Sequence, residues 1–161
     1  MEAQSFVSAH QKFLIESEFR LVKSEKKIPD GMLQAQLDYW IEGSIDDMST
    51  ANAIFEKTDR YGASLFFLHL CLEKQLKALF VKKFGVYAPL SHNLLSLAER
   101  CDLPLNVEQE IWFAEINEFN MMTRYPMEKT DFYRQASREF ADLHLNHGKV
   151  LQQWISEHLK K

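Results

Sequence analysis

The segment from about Tyr61 to Phe84 constrains the fold more than any other part of the chain. Apolar residues occupy most of its positions, so a helix formed by this segment is hydrophobic on nearly every side. Such a helix is stable in water only when other elements surround it. We therefore expect a central helix here. Gly85 should cap its C-terminus, because glycine readily adopts the left-handed conformation in which many helices end.

The rest of the chain predicts further helices, because apolar residues recur at steps of three and four. Asn106 and Gln109 have the spacing of a capping box, and Ser91 can cap a short helix. A turn signal, Pro29-Asp30-Gly31, separates an N-terminal helix from the others. The predicted helices cover about residues 3–27, 33–57, 61–84, 91–100, 106–122 and 130–159.

The low content of turn-forming residues argues against a β fold. The chain has only five glycines and four prolines, and no segment alternates in the manner of a strand. We predict an all-α protein, an antiparallel up-and-down bundle of four to five core helices within residues 33–160. Residues 1–31 should add an N-terminal helix, and residues 1–161 should form a single domain.

Net charge and hydropathy argue against duplex DNA and membranes as binding partners. The net charge of -4 is unfavourable for gripping duplex DNA. No apolar run reaches the roughly 18 residues of a membrane span, and the N-terminus lacks a signal-peptide pattern. We expect a cytoplasmic protein without membrane contact, in which Cys71 and Cys101 are buried thiols.

Common catalytic motifs are missing from the sequence. It contains no glycine-rich phosphate loop, no nucleophile elbow and no Cys-x-x-Cys pair. These absences exclude the usual ATPases, dehydrogenases, esterases and zinc modules. We expect no cofactor.

A polar stripe interrupts the apolar central helix. His69, Glu73 and Lys77 follow one another at intervals of four, so they lie on one face. Burying such groups is costly unless they are paired, which favours an internal network containing a Glu73–Lys77 pair. The alternative is the wall of a binding site or a self-association face. A metal site at His69 and Glu73 is the weakest alternative, because no third ligand is evident, and we predict no metal site.

Three further positions are candidates for ligand binding. Arg124 and Tyr125 precede Pro126 in a connection between helices, where they could contact a phosphate or simply end the helix. His92 follows the predicted cap Ser91, and helix N-termini favour anions. On the last helix, by contrast, we interpret His147 as a satisfied core residue between Leu143 and Val150.

Read in order, several motifs resemble the HEPN domain family, named for nucleotide binding in higher eukaryotes and prokaryotes. The resemblance covers about residues 37–155 and includes an Arg-Tyr-Pro element. The matching stretches are Trp40-Ile-Glu-Gly-Ser-Ile-Asp-Asp-Met48, Tyr61-Gly-Ala-Ser-Leu-Phe-Phe-Leu-His-Leu-Cys-Leu-Glu-Lys-Gln-Leu-Lys-Ala-Leu-Phe80, Pro89-Leu-Ser-His-Asn-Leu-Leu-Ser-Leu97 and Asn117-Glu-Phe-Asn-Met-Met-Thr-Arg-Tyr-Pro126.

The resemblance implies a helical bundle that dimerises and binds nucleotide or RNA in a groove. It also implies that a separate minimal nucleotidyltransferase chain can be the partner. Carried over by position, Glu73 and Lys77 match the family's Glu-Lys helix, and His92 matches its Thr/Ser-His-Asp element. Arg124 and Tyr125 match its Arg-Tyr-Pro element.

Many members of the family are metal-independent endoribonucleases that use an arginine followed, after four to six residues, by a histidine. No histidine follows Arg124 at that spacing. Arg138 and His144 have the spacing, but about one such pair is expected by chance. On a straight helix these two residues also point about 120° apart, so only a partner chain could bring them together.

The sequence therefore leaves three hypotheses. The first is a homodimeric module that binds a nucleotide or RNA without cutting it, through Arg124, Tyr125, His92 and Lys77. The second is an endoribonuclease that uses Arg138 and His144. The third is a protein-interaction scaffold, in which the polar stripe only specifies packing.

Overall fold

The structure is a computed structural model that describes residues 26–124 and 136–161, with the backbone alone at residues 121–124. Within these residues the chain forms helices and no strand, and an isolated antiparallel bridge joins Lys27 to Val86. The predicted all-α fold is confirmed. The helices are α1 (Leu33–Lys57), α2 (Tyr61–Phe84), α3 (Leu94–Arg100), α4 (Val107–Arg124) and α5 (Arg138–Lys160).

Helix α2 is the centre of the bundle, as its composition predicts. It packs against each of the other four helices. Its direction is opposite to that of α1, since Ser44 of α1 contacts Cys71 and the hydroxyl of Ser64 donates to the carbonyl of Ala51. The fully buried apolar residues of α2 include Leu65, Leu68, Leu72, Leu76 and Phe80.

Helix α5 runs in the same direction as α2, and α4 runs in the opposite direction. Gly148 of α5 lies against Leu68, and further along both helices Gln75 donates to the carbonyl of Gln152. Trp112 of α4 contacts His147, and Phe119, further along α4, contacts Phe140, which is earlier on α5, so α4 is antiparallel to α5. The described helices thus form an up-and-down bundle, with the short α3 at one side.

Two of the predicted helix ends are confirmed. Gly85 has a φ of 65° and its N–H donates to the carbonyl of Val81, so it is the C-cap of α2. Asn106 and Gln109 form the capping box of α4, because each backbone N–H donates to the other's side-chain oxygen at 3.0 and 2.8 Å.

Other helix ends differ from the prediction. The N-cap of α3 is Asn93, whose Oδ1 accepts from the N–H of Ser96, whereas the hydroxyl of Ser91 accepts from the N–H of Asn93 itself. Helix α4 continues past Met122 to Arg124. Residues 136–137 are not helical, because Ser137 caps a helix that begins at Arg138 rather than near residue 130.

The N-terminal segment also differs from the prediction where it is described. Lys26 and Lys27 are extended rather than helical, because the carbonyl of Lys26 accepts from Tyr87 and the N–H of the buried Ile28 donates to Gly85. Residues 1–25, which contain most of the predicted N-terminal helix, lie outside the described residues.

The buried face of α5 is displaced from the predicted apolar stripe. Leu143 and Val150 were expected in the core, but 51% and 54% of their surface is exposed. His144, Gly148 and Leu151 face the interior instead. An apolar stripe is therefore left on the outside of α5.

No helix among the described residues is long and apolar enough to cross a membrane.

Candidate ligand-binding site

The carboxylate of Glu73 is the centre of a hydrogen-bonded polar cluster. Because α2 is a regular helix, His69 and Lys77 lie one turn before and one turn after it. His69 Nε2 lies 3.3 Å from Glu73 Oε2, and Lys77 Nζ lies 2.8 Å from Oε1. The loop before α3 adds His92, whose Nδ1 lies 3.0 Å from both carboxylate oxygens. The predicted polar stripe is thus a paired network, to which His92 also belongs.

The contacts of His69 join α2 to α4. Its Nδ1 lies 3.3 Å from the carbonyl oxygen of Ile116 on α4, and its Nε2 faces Glu73. Both ring nitrogens of this fully buried residue thus face oxygen atoms, one on α2 and one on α4.

The same contacts keep Glu73 ionised. Burial by itself raises the pKa of this carboxyl group, because it disfavours the charged form. Hydrogen bonds from His69 and Lys77, the charge of Lys77 and the hydrogen bond from His92 outweigh that effect and lower the pKa to about 2. A negative charge thus persists at this buried position at neutral pH.

Lys77 is held inside the fold. Its Nζ donates to Glu73 and lies 5.2 Å from the ring centroid of Trp40, so a cation–π contact on α1 adds to the ion pair. Only 5% of the residue is exposed. Lys77 and Glu73 consequently support the site from within, and His92, with 48% of its side chain exposed, is the member that reaches solvent.

Arg124 lies further along α4 from this cluster. Asn117 Oδ1 accepts a hydrogen bond from the N–H of Leu94, two residues after His92, which joins α4 to the loop. Arg124 follows Asn117 by seven residues. Its Cα is therefore on nearly the same face of α4, about 10 Å further along the axis. The side chain of Arg124 and the whole of Tyr125 lie outside the described residues.

The structure does not bring Arg138 and His144 together within one chain. The guanidinium of Arg138 lies 4.7 Å from the ring centroid of Phe55 on α1. His144 instead faces α4, where its ring packs edge-on against Phe119. Burial lowers the pKa of His144, and Glu115 offsets this effect only in part. The two side chains contact different helices, as their angular separation predicts.

A second group of polar residues was not identified from the sequence. Glu115, His144 and His147 come together between α4 and α5. The interpretation of His147 as a satisfied core residue was wrong, because the residue is only partly buried and its Nδ1 finds no hydrogen-bond partner in the part of the chain that the structure describes. The ring stacks on Trp112 with centroids 4.3 Å apart. The histidine spacing was visible in the sequence, but the packing that brings Glu115 of α4 next to these histidines was not.

Comparison with known proteins gives the family. The HEPN domain model matches residues 37–158. The crystal structure of TT1696 from Thermus thermophilus is similar in fold, with a TM-score of 0.65 and 19% identity. That match covers 76% of this chain and 98% of TT1696. No curated protein matches the sequence. On the family match, which spans most of the bundle, the chain belongs to the HEPN domain family.

Proposed function

We propose that this chain is a homodimeric HEPN module that binds a nucleotide or single-stranded RNA without cutting it. The ligand lies along the surface between His92 and Arg124. The observation that carries the proposal is the half-exposed His92 ring, held in place by a buried carboxylate in a chain of this family.

The orientation of His92 supports this role. Its Nδ1 donates to Glu73, so Nε2 is the ring nitrogen left for a ligand, and no other described residue hydrogen-bonds to it. A carboxylate behind a histidine fixes the tautomer and the ring orientation. The ring can then hydrogen-bond to a base or, when protonated, to a phosphate.

The backbone position of Arg124 supports the second half of the proposal. Its Cα lies about 10 Å along α4 from Asn117, which is hydrogen-bonded to the loop that carries His92. A guanidinium binds phosphate through two parallel hydrogen bonds. We assign the phosphate contact to Arg124 and a stacking or hydrogen-bonding contact to Tyr125. The separation suits a ligand with a phosphate at one end and a base at the other.

The exposed apolar surface of α4 and α5 supports a homodimer. Leu143 and Val150 are two turns apart on α5, and both are about half exposed. His147 lies between them and stacks on Trp112 of α4. Ile111, which precedes Trp112 in the chain, is also exposed. Large apolar side chains exposed near one another are typical of interaction sites. The dimer interface in this proposal is the surface around these residues, and a minimal nucleotidyltransferase chain is the proposed further partner.

A thermal-shift titration tests the proposed ligand class. The full chain is mixed with mononucleotides, dinucleotides and short RNAs, and a ligand at a hundred times its dissociation constant should stabilise it by about 2.7 kcal/mol. The shift should vanish in Arg124→Ala and His92→Ala. It should persist in Lys160→Ala, which removes a similar charge from the exposed far end of α5.

The outcomes separate the three hypotheses. A shift in the wild type that both site variants lose supports the binding module, provided that the RNA is recovered intact. Cleavage that continues in EDTA and is lost in Arg138→Ala and His144→Ala would establish the endoribonuclease. If no ligand shifts the melting temperature, the protein-interaction scaffold is favoured.

A further inference from the structure

A three-residue cluster between α4 and α5 has the composition of a metal site. His144 and His147 are three residues apart on α5, so their side chains leave the same side of that helix. Glu115 faces them from α4, with its Oε2 3.7 Å from His144 Nδ1. One potential ligand atom from each of the three residues lies within 4.8 Å of the other two.

Two atoms of this cluster have unsatisfied hydrogen-bonding capacity. The Nδ1 atoms of His144 and His147 are buried from solvent and have no hydrogen-bond partner among the described residues. His144 is only 5% exposed, and its Nδ1 is directed toward Glu115. Buried polar atoms without a partner are uncommon and cost free energy. A cation bound between the three residues would remove that cost.

We propose that Glu115, His144 and His147 bind a divalent transition metal ion of the zinc class. Imidazole nitrogen and carboxylate oxygen are the ligands that Zn²⁺, Co²⁺ and Ni²⁺ accept, whereas Mg²⁺ and Ca²⁺ require mostly oxygen. Three protein ligands leave a fourth position for water or another molecule, as in open zinc sites.

The distances are compatible with closure around an ion. Tetrahedral bonds of about 2.0–2.2 Å hold ligand atoms roughly 3.3–3.6 Å apart, so the Glu115–His144 distance of 3.7 Å is already close. The longer separations, up to 4.8 Å, involve His147, so closure needs a small shift of its imidazole together with a rotamer change of Glu115, whose side chain is 46% exposed. The stacking of His147 on Trp112 meanwhile restrains that ring.

The buried thiols do not compete for the ion. Cys71 and Cys101 are both buried, and burial raises the pKa of each thiol to about 12. Metal ions bind the thiolate form. His69 is excluded as well, because both of its nitrogens already face oxygen acceptors.

Titration with Co²⁺ tests the site in the untagged full chain after EDTA treatment and dialysis, with no nucleotide present. Tetrahedral or five-coordinate Co²⁺ absorbs strongly in the visible range, and Zn²⁺ should displace it. We expect saturation at one equivalent per chain. Removing one ligand should weaken binding by at least about tenfold, since even the loss of an outer-shell partner has that effect.

The test variants are Glu115→Gln and His147→Gln, since neither residue is fully buried and both variants should fold. The controls are Glu118→Gln, an exposed carboxylate on α4, and His158→Gln, a histidine on α5 that contacts the carbonyl of Trp154. Circular dichroism checks the fold of each variant. Weakened binding in the two test variants alone supports the site. No Co²⁺ binding by the wild type, or equal binding by all variants, overturns the proposal.

Discussion

His92 Nδ1 is equidistant from the two carboxylate oxygens of Glu73, 3.0 Å from each. This bifurcated contact joins the most buried helix of the bundle to the loop before α3. Only 5% of the surface of Glu73 is exposed, whereas about half of the His92 side chain is accessible to solvent. A charge inside the fold thus determines the orientation of a ring at its surface.

Replacing Glu73 with glutamine should destabilise the protein by about 3 kcal/mol or more. The change leaves Lys77 buried without a counter-charge, and breaking a buried ion pair on one side typically costs about 3–5 kcal/mol. Urea unfolding measures the loss. Glu118→Gln, at an exposed position on α4, should change the free energy of unfolding by less than about 0.5 kcal/mol. Equal effects of the two substitutions would contradict the assigned role of Glu73.

The contribution of Glu73 should depend on pH in the acid range. Its pKa in the folded chain is lowered from 4.5 to about 2, so the unfolded chain takes up the proton first as pH falls. The stabilisation is therefore complete above the unfolded value and is lost between about pH 5 and about pH 2. Urea midpoints of the wild type and Glu73→Gln should converge over this interval. A constant difference would show that the charge of Glu73 is not responsible.

Gly148→Ala should destabilise the contact between α2 and α5. A Cβ at this position would lie 2.3 Å from Leu68 Cδ1 and 2.9 Å from its Cγ, and Leu68 is fully buried. Overpacking of this kind costs about 1–3 kcal/mol. Gly43→Ala is the matched control, because the three atoms nearest to its Cβ all belong to the flexible side chain of Lys74, at 3.1 Å or more. There alanine should be neutral or stabilising through its helix propensity. Thermal unfolding that ranks the two variants in the reverse order would contradict the described packing.

Leu143→Glu should convert the proposed dimer to a monomer. The substitution places a charge in the exposed apolar surface on α5 and should leave the fold intact, because the side chain is not in the core. Light scattering coupled to size exclusion reports the mass. Ile45→Glu, at an exposed apolar position on α1, should leave the mass unchanged. A monomeric wild type, or a dimeric Leu143→Glu variant, would exclude this interface.

The helices were predictable because their signals are local. The apolar composition of Tyr61–Phe84 indicated the central position of α2, and Gly85 and the Asn106–Gln109 capping box marked two ends correctly. Where several polar residues stood near a helix end, as at Ser91 and Asn93, the sequence alone did not select the cap. On α5, the residues that were expected in the core and the residues that are buried both recur at helical spacing, one position apart. Leu143 was therefore wrongly placed in the core.

The candidate sites were only partly predictable because they join residues from different helices. The spacing of His69, Glu73 and Lys77 identified the stripe, but the contact with His92 depends on where the loop before α3 folds back. The Glu115–His147 juxtaposition depends on the packing of α4 against α5, which helical periodicity does not specify. Contacts between residues of different helices can be identified only from the three-dimensional structure.

The most direct test of the central claim is the salt dependence of RNA binding. Fluorescence anisotropy of a labelled short RNA is measured over a series of salt concentrations for the wild type and Arg124→Ala. We expect the affinity for RNA to fall as the salt concentration rises. Loss of one phosphate contact should lower the slope of log affinity against log salt concentration by about 0.7 for a single strand. Binding with an unchanged slope in Arg124→Ala, or no binding by the wild type at low salt, would contradict the claim.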